Sequence, residues 1–227
     1  MIFFLFNIYL SALLIATVTG VVSVGFHDQG PAYIKILPWF VLLTFIVEVV
    51  AYCYSITGSN QNIFNVFLII QHLFYSLILY QMIGSETVRK RLLYTVYVYF
   101  VVAVVLIFFI QGINYYNSIV YFVGGVMLSS YSGYFLYELF GVPGKENLLR
   151  KPSFWIASGI LLYNCCTIPI VIPWPVLLHC TRFELRVLHI LLTFVYFTSY
   201  SMFTVAFIFH FLAQKSFIKA DTFDSAV

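Results

Sequence analysis

Long apolar runs separated by short polar breaks make up nearly the whole chain. Runs at 2–24, 36–56, 62–83, 92–111, 117–140, 153–173 and 185–213 each lie near or above the ~20 residues that an α-helix needs to cross a hydrocarbon layer about 30 Å thick. The breaks are turn chemistry, as in Thr57-Gly58-Ser59-Asn60, Gly112-Ile113-Asn114 and Gly141-Val142-Pro143-Gly144, and leave no room for a soluble domain. The pattern predicts an all-α membrane protein: a bundle of seven transmembrane helices over 1–213 followed by a short cytoplasmic tail, 214–227. The first run has no basic segment before it and is too long for a signal-peptide core, so it is read as a retained helix.

Composition agrees with that reading. Of 227 residues, 63% are hydrophobic, 20% aromatic and only 8% charged, too few charges to give a water-soluble globule its surface. The net charge of +3 reflects where lysine and arginine sit relative to the membrane and gives no argument for a nucleic-acid partner. Cys53, Cys165, Cys166 and Cys180 form neither a Cys-x-x-Cys pair nor a zinc-finger spacing.

Charge placement sets the expected orientation, because cytoplasmic loops retain basic residues. Lys35, Arg89, Lys90, Arg91, Lys145, Arg150, Lys151, Lys215 and Lys219 fall on the side shared by loops one, three and five and the tail, and only Arg182 and Arg186 fall opposite. Nine against two places the N-terminus outside and the C-terminus in the cytoplasm, in an inner membrane. Trp39 and Trp155 begin helices two and six at the inner face, and Trp174 marks an outer turn between Pro173 and Pro175.

The spacing of Lys35, Trp39 and Glu48 returns in Lys151, Trp155 and Asn164, and His72 and His189 follow at similar distances. The two sets have the same orientation, which suggests a parallel repeat of three helices either side of helix four, a 3+1+3 layout.

Polar residues at membrane depth are the candidate functional groups, since each ionisable group there costs about 2.5–3.5 kcal/mol on insertion scales unless it meets a partner or a wet cavity. At 1.5 Å per residue Glu48 lies roughly 12 Å from the outer end of its helix, His72 roughly 15 Å, Asn164 roughly 13 Å and His189 roughly 7 Å. Thr44, Glu48, Tyr52 and Ser55 share one face of helix two; Gln61, Asn65, His72 and Ser76 share one of helix three; His189, Thr193, Tyr196 and Tyr200 share one of helix seven. The prediction is an outward-opening polar pocket lined by Glu48, His72, Tyr163, Asn164 and His189. The competing reading makes the same groups hydrogen-bonding glue between helices.

Other features point to packing more than chemistry. Gly124, Gly125, Ser129, Ser130, Ser132 and Gly133 give helix five a small-residue surface, suited to close contact within the bundle or with another protein. Pro169 interrupts the backbone ladder near Asn164-Cys165-Cys166-Thr167 and suggests a kink with a free carbonyl. Glu138 reads as interfacial. His179-Cys180 with His189 is a weak metal candidate of no recognised spacing. The chain has no His-Glu-x-x-His, Gly-x-Ser-x-Gly or phosphate-binding glycine loop. Its aspartates, Asp28, Asp221 and Asp224, lie in loop one and the tail, and helix seven has no lysine before Lys215 for a retinal Schiff base. A haem between His72 and His189 is sterically conceivable, but the spacing does not require it. No cofactor and no enzymatic activity are expected.

Glu48, the Asn65 to Tyr80 helix, Glu146-Asn147-Leu148-Leu149, Lys151-Pro152-Ser153-Phe154-Trp155-Ile156, Gly159, Leu162-Tyr163 and His189 together resemble an uncharacterised family of small seven-helix membrane proteins of Bacteroidetes-type bacteria. The resemblance implies a module that accompanies histidine-kinase signalling. It departs at Asn164-Cys165-Cys166, where a Phe-Ser-Gly-like run would follow the tyrosine. The 3+1+3 layout is similar to that of sugar and PQ-loop transporters, without their Pro-Gln signature. Three roles follow: a sensory or regulatory module acting through a membrane protein partner, a small-solute transporter, or an accessory subunit of a larger complex. Lipid is the surrounding solvent in each, and a small-molecule ligand is expected in the first two.

Overall fold

A computed structural model describes residues 2–25, 30–56, 58–115, 117–141, 147–171 and 182–224. Seven long helices follow one another: α1 Ile2–Gly25, α2 Ala32–Ser55, α3 Gln61–Met82, α4 Glu86–Val104, α5 Ser118–Gly141, α6 Pro152–Val171 and α7 Arg182–Asp224. All seven contain stretches long and apolar enough to cross a membrane, and no strand occurs among the described residues.

Two helices depart from the hydrophobic runs. α4 begins at Glu86, six residues before the apolar run, because Arg89, Lys90 and Arg91 end the hydrophobicity without ending the helix. Glu86 also occupies the first turn, where a carboxylate complements the helix dipole. α7 extends over 43 residues through Asp224, so the segment expected as a tail continues the last helix. Gln214 to Asp224 contains no proline or glycine to stop it.

The short connections make sequential helices neighbours. α1, α2, α3, α5, α6 and α7 close into a ring in that order, with α7 packed along α1. α3 also touches α6 across the ring, while α4 lies outside, against α3 and α5. Most of α4 is therefore uncovered, including Tyr94, Tyr97 and Phe100. Its last turn widens into a π-helix, Val105–Ile110, closed by Gln111 N donating to Leu106 O at 2.8 Å. Gly112 then takes a φ of +86°, which a side chain would oppose, and turns the chain back toward α5.

Core packing is concentrated in one half of the bundle. Leu37 and Phe40 of α2, Ile78 and Leu79 of α3, and Phe203 and Phe207 of α7 are fully buried, with Ile156 and Ile160 of α6 beside them. These residues lie toward the end at which α1 finishes and α2 starts. Backbones approach closely there: a Cβ on Gly159 would lie 2.8 Å from the Phe203 ring, and one on Gly20 would lie 2.8 Å from Phe207. At the same end Gly84 N donates to Glu138 Oε2 at 3.0 Å, so Glu138 fastens the α3–α4 connection.

The small residues of α5 divide between two environments. Gly124, Gly125 and Ser132 are buried inside the bundle, whereas Ser130 is exposed and Gly133 faces open space. Cys53, Cys165 and Cys166 are free thiols. Trp174, His179 and Cys180 fall outside the described residues, as does the Val142-Pro143-Gly144 turn.

The positions paired by the repeated spacing have different surroundings. Trp39 is 61% exposed, whereas Trp155 packs on the core and donates Nε1–H to Leu149 O at 2.7 Å. Glu48 lines a large cavity, and Asn164 donates to Ile160 O of its own helix at 2.8 Å.

Candidate functional site

The other half of the bundle is hollow. A cavity of about 500 Å³ lies where α1 starts, α2 ends, α3 and α5 start, α6 ends and α7 starts. It reaches the α2–α3 turn at Ser55, Asn60 and Gln61, and extends inward to Tyr200. Its length along α7, from His189 to Tyr200, is roughly 16 Å at 1.5 Å per residue.

Glu48 supplies the carboxylate. It lies seven residues before the end of α2, roughly 10 Å down the helix. The same α2 face brings Thr44 and Tyr52 into the wall, as a period of 3.6 requires. Glu48 is hydrogen-bonded to the hydroxyl of Tyr9 on α1, and it is close enough to Tyr163, Tyr196 and Tyr200 to interact with them electrostatically. Among the described residues of the wall it is the only acidic one, and none of them is lysine or arginine.

Tyrosine dominates the rest: Tyr9, Tyr52, Tyr121, Tyr163, Tyr196 and Tyr200 all line the cavity. The Tyr196 ring stacks on Tyr163 with centroids 5.5 Å apart and meets Tyr9 at 5.6 Å and 60°, so the three rings form a corner next to Glu48. Gln71 lies beside Tyr75 and Tyr163, Tyr163 lies beside Tyr121 and Tyr196, and Tyr121 donates to Thr167 Oγ1 at 2.6 Å. Thr167 in turn donates to Tyr163 O at 2.6 Å, which holds its hydroxyl in the α6 segment that precedes Pro169.

The mouth is braced by asparagine. Asn65, buried at the start of α3, donates both amide hydrogens, to Ile113 O and Tyr115 O at 2.7 Å each, and so ties the α4–α5 turn to α3. Asn117 donates to Tyr115 O at 2.9 Å. Across the cavity His189 Nδ1 bonds to Leu185 O at 2.9 Å. A carbonyl can only accept, so Nδ1 is the donor in this bond.

The five residues predicted from sequence therefore separate. Glu48, Tyr163 and His189 share the cavity, but His72 and Asn164 do not line it. They border a void of about 10 Å³ between α3, α4, α5 and α6. Equal depth did not place them together because His72 sits one position past Gln71, about 100° round α3, so Gln71 meets the cavity and His72 turns toward α4. The His72 ring lies on Tyr99 with centroids 3.7 Å apart, in a slot that exists because residue 124 is glycine: a Cβ there would lie 2.9 Å from Tyr99 and 3.1 Å from His72. His72 Nε2 and the Tyr99 hydroxyl are buried without a hydrogen-bond partner. Sequence reasoning also missed Tyr9, Gln71 and Tyr121. Tyr9 lies in a largely apolar helical run, and Gln71 precedes the histidine that drew attention.

No group of three or more His, Cys, Asp or Glu side chains is placed to hold a metal ion among the described residues. No protein-family model, curated protein or solved structure matches this chain.

Proposed function

We propose that this chain is a non-enzymatic, multi-pass module of the inner membrane that receives a small molecule in its hollow end and passes the signal to a membrane protein partner. The observation that carries the reading is the cavity of about 500 Å³, with one carboxyl group and six tyrosines among the described residues of its wall, at the end away from the buried Leu37, Phe40, Phe203 and Phe207 core. A volume of this size is typical of small-molecule sites. Lys35, Arg89, Lys90, Arg91 and Lys151 cluster at the packed end, which supports an outward-facing cavity by the positive-inside rule. α7 runs unbroken from His189 in the cavity wall to Asp224, roughly 52 Å, and so links the cavity mechanically to the cytoplasmic end. The kinship with small seven-helix modules that accompany histidine kinases belongs to the same proposal.

Orientation is tested with a variant whose four cysteines are replaced by alanine and that carries Ser55→Cys. A membrane-impermeant maleimide should label it in intact spheroplasts. Labelling only in inverted vesicles would overturn the orientation. The sensory role is tested by mild extraction and cross-linking, which should recover a stoichiometric membrane partner. If the isolated protein instead accumulates a solute in vesicles, and Glu48→Gln stops it, the chain is a transporter with an alternating 3+1+3 layout.

A further inference from the structure

The cavity's chemistry restricts what it can hold. A carboxylate at membrane depth needs a proton, a countercharge or water. Among the described residues the wall offers Glu48 no lysine or arginine, and its partner there is the hydroxyl of Tyr9. One tyrosine bond uses one of the roughly four lone-pair directions of a carboxylate. The carboxyl group thus retains accepting capacity within the cavity, and a bound cation would supply the countercharge that the wall lacks.

Beside it stand aromatic faces. Tyr9, Tyr163 and Tyr196 form a corner with centroid separations of 5.5 and 5.6 Å, and Tyr200 and Tyr52 continue the wall above and below. A cation within about 6 Å of such ring centroids is attracted to their negative faces, and the effect grows as water is excluded. Chloride, carboxylates and phosphates meet the opposite field from the rings and from Glu48.

Part of the amide capacity that a neutral polyol would use is committed. Both hydrogens of Asn65 go to Ile113 O and Tyr115 O, and Asn117 bonds to Tyr115 O. What the described wall presents is one carboxyl group, π surface and tyrosine hydroxyls, with no cationic side chain.

We propose that the ligand of this cavity is a small organic cation, an amine or quaternary ammonium, with its charge between Glu48 and the Tyr9, Tyr163 and Tyr196 rings and its apolar remainder toward Phe64, Phe67 and Leu192. This inference rests on the cavity being a ligand site and adds the ligand's class.

The test uses the full-length protein in nanodiscs and four probes: choline, its neutral isostere 3,3-dimethylbutanol, glucose and acetate. Binding is read by calorimetry and by the shift in thermal unfolding. Choline should bind at least tenfold more tightly than 3,3-dimethylbutanol, with acetate and glucose weaker still. Glu48→Gln should remove that preference and leave the neutral isostere's affinity within twofold. Tyr196→Leu should weaken choline more than the isostere, which separates ring-face attraction from simple filling of space. Equal affinity for choline and its isostere, or tighter binding of glucose or acetate, overturns the cation inference and leaves the ligand site standing. If none of the four probes binds, and the protein as extracted carries no small molecule, both the inference and the ligand site fall.

Discussion

Asn65 is the clearest place to test whether the cavity mouth is built as described. Its side-chain amide has two donors, and both are used at 2.7 Å, on Ile113 O and Tyr115 O. Asn65→Ala deletes both bonds. Each is worth about 0.5–1.5 kcal/mol net, so the loss should be about 2 kcal/mol. Interhelical bonds measured in a lipid setting average nearer 0.6 kcal/mol, which sets a lower figure of about 1 kcal/mol. For a chain of this length each kcal/mol moves Tm by roughly 2–4 °C, so a fall of roughly 2–8 °C is expected.

Asn65→Asp sharpens the test, because an ionised carboxylate keeps the shape but has no donor and faces two carbonyl oxygens. At neutral pH it should be at least as destabilising as alanine. The assay is thermal unfolding in detergent followed by intrinsic fluorescence, together with amide hydrogen exchange over 111–117. Exchange there should accelerate in both variants while exchange in α6 and the core of α7 stays put. An Asn65→Asp protein that unfolds within a degree of wild type, with unchanged exchange at 111–117, would refute the brace.

Other substitutions probe separate parts of the structure. His72→Phe keeps a ring against Tyr99 and removes a buried nitrogen that has no partner, so Tm should hold or rise and choline binding should not change; a loss of choline binding would return His72 to the site. Gly124→Leu must displace Tyr99 and His72 from a slot with no spare room and should cost about 1–3 kcal/mol by overpacking, read as a lower Tm, whereas Gly133→Leu, which faces open space, should be nearly silent. Glu138→Ala frees the α3–α4 connection and should raise exchange at Gly84 without altering the cavity.

The number of helices was legible because the apolar runs match membrane thickness and the turns between them are short. Element ends were less so, since hydropathy marks where lipid contact stops and not where the helix stops: Arg89-Lys90-Arg91 and Gln214 to Asp224 are polar and still helical. Glu48 and His189 stand out in sequence because a charged or titratable group in an apolar run is costly, and both line the cavity. His72 stands out for the same reason and faces Tyr99 of α4 instead, because depth along a helix does not give rotation about it. Tyr9 and Tyr121 escaped for the opposite reason. In a chain with 18 tyrosines one more is unremarkable in sequence, and only the ring of helices shows that six line one cavity. The comparison of Lys35, Trp39 and Glu48 with Lys151, Trp155 and Asn164 concerned spacing alone, and the environments of Trp39 and Trp155 differ because one faces outward and the other packs under α7.

The central claim is that the hollow end of the bundle is a ligand site built on Glu48. Native mass spectrometry of the protein drawn gently from its own membrane tests it most directly, since the chain alone has a mass of 26.2 kDa and any retained small molecule adds to that. The account predicts a wild-type species carrying one small organic cation, and a Glu48→Gln species that has lost it while remaining folded. A wild-type protein with no retained small molecule, indistinguishable in that respect from Glu48→Gln, would contradict it.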